Sequence, residues 1–155
     1  MSPYEDHLHL DGNTLLLRAI NPEFVNWVRD EDGSNWPQFS HRGFTAMSQS
    51  EVDRLQYQGR AMSVGQAAIL AEHFDEMETA IDTFLSSAFK IGWGVAGLYA
   101  SDVRQVEPGL GIRHDEVNGQ PWHALVFPKD GPNINTRAQK QLRAHALVLR
   151  APSIT

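Results

Sequence analysis

Thr14-Leu15-Leu16-Leu17-Arg18-Ala19-Ile20 is the stretch on which the fold turns. Its apolar side chains fall on both alternating faces, so it predicts a strand buried on two sides, interrupted by one cation. Asn21-Pro22 closes it, because the residue before a proline is driven out of the helical region. Pro22 in turn suits the first position of a helical turn over Glu23–Val28. Two other runs have the same character. Trp93–Ala100 (WGVAGLYA) reads as a central strand in which Gly94 and Gly97 permit close packing against a helix. Trp122–Phe127 (WHALVF) reads as a buried strand closed by Pro128 and a Lys-Asp-Gly turn. Arg60–Val64 (RAMSV) adds a brief strand. One sheet built on these segments is the expectation.

Working outward, Gln66–Lys90 carries Phe74, Met77, Ile81, Phe84 and Leu85 at helical intervals, with Asp75, Glu76, Glu78 and Asp82 on the remaining arc. The pattern predicts a long central helix and leaves open whether His73-Phe74 is mid-helix or a junction. Gly92 stops it. Ser101 suits the cap of a short helical turn reaching Val106. Asn135 or Thr136 caps a final helix to about Leu149, with Ala138, Leu142, Ala146 and Leu149 as its buried stripe and Arg137, Lys140, Arg143 and Arg150 opposite. Ser48 and Glu51 have capping-box spacing for a short helix to Tyr57. Asp30–Trp36 and Glu107–Gln120 read as loops. Strands and helices do not alternate strictly, so the expected class is α+β: a single small, mostly antiparallel sheet covered by the long central helix and the C-terminal amphipathic helix. Residues 1–13 form a polar N-terminal segment, 14–150 a single domain and 151–155 a tail.

Composition bounds the chemistry. At 155 residues, with 41% hydrophobic and 21% charged side chains, the chain can bury one core without a staple, and disorder is excluded as a description of the whole. The absence of cysteine removes disulfides, thiol catalysis and cysteine-based zinc sites. The acidic start lacks the apolar core of a signal peptide, and the longest apolar stretch, Ile91–Ala100, is shorter than the ~20 residues of a membrane helix. A cytoplasmic chain without a membrane partner is expected. Net charge is −6, with 14 acidic against 6 basic side chains in residues 1–90 and 5 against 7 in residues 91–155. Such a chain is not built for wholesale phosphate neutralisation.

Four constellations could carry chemistry. The run Asp6-His7-Leu8-His9-Leu10-Asp11-Gly12 places two histidines at strand spacing, a geometry that can share a metal. Arg18, His41, Ser63 and His123 form a second, dispersed set. A cation inside an apolar strand calls for a carboxylate partner or an anionic ligand, and His123 beside Ser63 or His41 would have the titration range of a general base. Arg113-His114-Asp115-Glu116 gathers titratable groups suited to a metal or proton transfer, although a solvated loop is the plainer reading. Finally, Arg137, Lys140 and Arg143 present a basic helix face, and Trp36, like Trp27, Trp93 and Trp122, is an interface-type anchor.

The histidine run resembles the first metal-binding strand of the adenosine-deaminase branch of the amidohydrolases. Those enzymes need a barrel of about 250 residues, which this chain cannot build, so no metal or other cofactor is expected. Leu16-Leu17-Arg18-x-Ile20-x-Pro22, the Ser40 to Phe44 region, Met62-Ser63-Val64, Gly94-Val95-Ala96-Gly97-Leu98 and His123-Ala124-Leu125-Val126 resemble a loose group of small bacterial proteins with no established activity. That resemblance implies a bacterial, cytoplasmic, single-domain protein and carries over no catalytic role to any residue here. The leading functional expectation is an interaction or regulatory subunit of a larger assembly with a protein partner. The alternative is an enzyme acting on a nucleotide or nucleic acid, hydrolytic or loosely similar to ADP-ribosyltransferases, with Arg18 gripping an anion and His123, Ser63 or His41 moving a proton. A third is nucleic-acid binding through the basic C-terminal helix.

Overall fold

The apolar run around Arg18 becomes an interior strand. In the computed structural model, which describes residues 6–7, 10–46, 61–73, 77–87, 90–107, 109–116, 120–129 and 133–153, the chain forms β1 (Leu15–Ile20), β2 (Val25–Arg29), β3 (Asn35–Phe39), β4 (Met62–Gln66), β5 (Gly94–Tyr99), β6 (Leu110–His114), β7 (His123–Pro128) and β8 (Leu147–Arg150). The helices are α1 (Ala67–His73), α2 (Met77–Ser87), α3 (Ala100–Arg104) and α4 (Thr136–His145), with 3-10 turns at Pro22–Phe24 and His41–Phe44. Six strands make one sheet in the order β6-β7-β4-β1-β5-β8, and every pairing in it is antiparallel. The three segments around 15–20, 93–100 and 122–127 do share that sheet.

Strand alternation divides the interior in two. Leu16 and Ile20 of β1 join Val64, Ala96, Leu98 and Val126 on one face, where Ala138 and Leu142 of α4 and Val103 of α3 cover them. Leu17 and Ala19 face the other way with Val95 and Trp122, under Leu70 of α1 and Ile81, Phe84 and Leu85 of α2. Each face is therefore roofed by helix, which is why β1 and β7 are apolar on both sides.

Several expectations need correction. Among the described residues of 66–90 no single long helix is shown. Gln66 still belongs to β4, and α1 and α2 are two short helices in contact. A straight helix of 25 residues would run about 37 Å, whereas the two helices place Leu70 and Phe84 in the same buried cluster. In place of the helical turn expected over Glu23–Val28, Pro22–Phe24 form a 3-10 turn and Val25–Arg29 form β2, and the expected loop 30–36 is a turn leading into β3. Gly33, at φ 87, makes the tight connection of this separate two-stranded hairpin. The expected loop 107–120 contains β6, and the C-terminal helix ends at His145, where Ala146 turns extended and the chain returns as β8. Asn135 caps α4, its side chain accepting from the Ala138 N–H at 2.9 Å. The helix expected from Ser48 lies outside the described residues.

Residues 6–7 fasten to the outer strand β6. The His7 N–H donates to the Ile112 carbonyl at 2.8 Å, and the Asp6 carboxylate accepts from the Ile112 N–H at 3.2 Å. Arg104 reaches the same carboxylate at 3.1 Å and Lys129 at 3.4 Å. Burial pushes the Asp6 carboxyl up, but the Arg104 hydrogen bond, the Ile112 N–H and the two cations together hold it below the ordinary carboxylate value.

Candidate functional site

Strand order decides which polar residues meet. β4 and β7 are neighbours with Ser63 opposite Leu125 and Gly65 opposite His123. Ser63 and His123 are therefore diagonal neighbours on one face. Gly65, directly across from His123, leaves room for the Phe84 and Trp122 rings, which an added Cβ would meet at 2.9 and 3.0 Å. The two rings pack edge-on at 5.3 Å and wall the space beside the histidine.

His123 is 8% exposed and engaged on both ring nitrogens. Its Nε2 lies 3.2 Å from Ser63 Oγ. Its Nδ1 lies 2.9 Å from the Asp115 carbonyl oxygen and 3.1 Å from Asp115 Oδ2. A carbonyl oxygen can only accept, so Nδ1 carries a proton toward Asp115, and Nε2 is the nitrogen that faces the Ser63 hydroxyl. Asp115 follows β6 directly and is held there by its own N–H, which donates to the His123 carbonyl at 2.9 Å. Asp115, His123 and Ser63 thus form a line from a carboxylate through an imidazole to a hydroxyl.

Among the described residues, the partners shown for the Arg18 guanidinium are backbone carbonyls. The ladder between β1 and β4 covers only Leu16↔Gln66 and Leu17↔Gly65. At the end of that ladder the guanidinium donates to three backbone carbonyls: Ser63 at 3.0 Å, Gly43 at 3.1 Å and Thr45 at 3.2 Å. It ties the 3-10 turn to the strand that carries Ser63.

Two clefts adjoin at this point. The smaller, about 100 Å³, is lined by Ser63, His123, Trp122, Phe84 and Gln120, and the larger, about 210 Å³, by Asn21, Phe24, Thr45 and Trp93. Arg18, Ala19, Ser63 and Lys90 belong to both walls. Lys90 holds its ammonium 5.0 Å from the centre of the Trp93 ring.

No protein-family model matches the chain, and no curated protein or solved structure matches it either. Function has to be argued from the site.

Arg18, Ser63 and His123 are thus brought together, whereas His41 lines neither cleft. Its turn tucks Gly43 and Phe44 into the core and contributes carbonyls, not an imidazole. Asp115 belonged to a stretch read as a solvated loop; it sits at the end of a strand, and its neighbour His114 places Nδ1 2.6 Å from Gln66 Nε2. Lys90 and Gln120 had no sequence signal. Among the described residues no group of three or more His, Asp or Glu could hold a metal, and His9 lies outside them. Nor is any described helix long and apolar enough to cross a membrane. On α4, Arg137 pairs with Glu107 at 3.4 Å and Lys140 is exposed, while Arg143 joins Trp36 and Val148 along a separate groove of about 300 Å³.

Proposed function

We propose that this chain is a hydrolase in which Ser63 is the nucleophile, His123 the general base and Asp115 the group that orients it. The observation that carries the reading is the position of His123 Nδ1 against two acceptor oxygens of Asp115, which leaves Nε2 as a proton acceptor 3.2 Å from Ser63 Oγ. An unassisted serine hydroxyl is a poor nucleophile and needs such a base. With an ester in the cleft, Ser63 Oγ attacks the carbonyl carbon while its proton moves to His123 Nε2. The C–O bond to the leaving group then breaks, and His123 returns the proton to the departing alcohol oxygen. Water attacks the acyl-serine with His123 taking its proton, and the acid leaves as Ser63 recovers its hydrogen. Lys90 and Gln120 line the cleft wall, the Gln120 amide donating to the Ser87 carbonyl at 3.1 Å. The test is hydrolysis of 4-nitrophenyl butyrate. The wild type turns it over, and Ser63→Ala and His123→Ala each reduce kcat by at least about 100-fold; equal rates in all three proteins remove the reading.

A second reading, an interaction subunit, is favoured by one observation. Trp36 and Val148, 49% and 48% exposed, line the Arg143 groove beside β8, an edge strand of the sheet. Exposed aromatic and apolar side chains next to an unpaired strand edge suit a protein partner. Capture of a partner that Trp36→Ala abolishes supports it; a wild-type protein that captures nothing and sediments as a monomer removes it.

A further inference from the structure

We infer that the substrate of Ser63 is an ester of a short apolar acid, its acyl chain seated in the smaller cleft against Phe84 and Trp122. The inference rests on the hydrolase reading and adds the substrate class to it. Its starting point is a glycine. Two residues on from Ser63, and so on the same face of β4, stands Gly65. Where a side chain would project there, the Phe84 and Trp122 rings lie instead, and an added Cβ would meet them at 2.9 and 3.0 Å. The rings thus stand over a position about 7 Å along the strand from the nucleophile. Both are buried, and they pack edge-on with centroids 5.3 Å apart, so each holds the other against a longer chain. Ala19, on the same face of the sheet, adds to the apolar lining.

The polar groups on this wall are engaged with the protein itself. The Arg18 guanidinium is held on three carbonyls, the Gln120 amide on the Ser87 carbonyl, and the Lys90 ammonium lies over the Trp93 ring. What the cleft offers a substrate is therefore mainly the two rings and their size limit. Its volume is about 100 Å³. An apolar cavity of about 150 Å³ accommodates benzene, and on that scale this one takes an acyl chain of about four carbons. The adjoining cleft has Asn21 and Thr45 in its lining, where an alkyl chain would strip polar groups of water. It receives the alcohol portion.

Two esters that differ only in chain length test this. The wild type is expected to hydrolyse 4-nitrophenyl butyrate with a kcat/KM at least about 10-fold above that for 4-nitrophenyl octanoate, a discrimination within reach of a closed apolar pocket. Phe84→Ala removes the ring over Gly65 and should raise the octanoate-to-butyrate ratio by about 10-fold or more. Phe84 also belongs to the core, so circular dichroism first establishes that the variant is folded at the assay temperature. Phe84→Leu, a milder truncation of the same wall, is read by the same ratio and replaces the alanine variant if that one is unfolded. Octanoate turned over as well as butyrate by the wild type, or a ratio that the folded variant leaves unmoved, overturns the acyl pocket and leaves the hydrolase reading standing. Turnover of neither ester by the wild type defeats the hydrolase reading and the pocket with it.

Discussion

Replacing Arg18 by methionine keeps an unbranched apolar stem and deletes the guanidinium, and the geometry sets the cost. Three charged N–H donors lie 3.0–3.2 Å from the carbonyls of Ser63, Gly43 and Thr45. A hydrogen bond to a charged group is worth about 1.5–3 kcal/mol when well buried. The site is only partly buried, so water can rehydrate the abandoned carbonyls, and about 1 kcal/mol per bond is the better figure, or about 3 kcal/mol in all. For a domain of this size each kcal/mol moves Tm by roughly 2–4 °C, giving a fall of about 6–12 °C. Arg18→Lys keeps the charge but not the planar fork and should recover less than half of the loss. Thermal unfolding at pH 7 followed by far-UV circular dichroism measures both. An Arg18→Met protein melting within about 2 °C of wild type would show that the guanidinium does not hold the turn to β4.

Two further outcomes follow from packing and charge. Gly65→Ala drives a Cβ against Phe84 and Trp122 at 2.9–3.0 Å and should cost about 1–3 kcal/mol in urea unfolding, whereas Gly109→Ala, whose Cβ meets Lys129 at an ordinary 3.4 Å, should leave the midpoint nearly unchanged. Asp6 has its folded pKa below its unfolded one, so its contribution to stability is complete above about pH 5 and disappears as pH falls through the lowered value; Asp6→Asn should therefore be less stable at pH 7 and show a smaller further loss between pH 5 and pH 2, and parallel pH profiles for the two proteins would contradict the assignment.

The strands that could be read from sequence are those whose burial is two-sided. Leu15–Ile20, Gly94–Tyr99 and His123–Pro128 are apolar runs with proline or glycine at their ends, and the pattern survives any placement in a sheet. β2 and β3 escaped because the hairpin is half exposed and its residues alternate weakly. β8 escaped for a different reason: Ala146 and Leu149 continue the helical spacing of Ala138 and Leu142, so the periodicity runs past the real end of α4 at His145. Ser63 and His123 stood out as polar residues inside apolar strands. Asp115 did not, because Leu110 and Ile112 are too few apolar positions to reveal β6 in a glycine-rich stretch. Whether these residues meet depends on β7 lying beside β4, a long-range pairing across some 60 residues that local pattern does not encode. His41 lines neither cleft, and its place relative to Ser63 likewise depends on long-range packing that local pattern does not encode.

The sharpest trial of the account is reaction of the folded protein with a fluorophosphonate, an agent that phosphonylates a serine only when a neighbouring base activates it, followed by peptide mass mapping. The hydroxyl facing His123 should take up a single phosphonyl group at Ser63, and His123→Ala should abolish that modification at a temperature where circular dichroism shows the variant still folded. A native protein that remains unmodified, or is labelled equally well without the imidazole, would contradict the Asp115–His123–Ser63 line as a catalytic device.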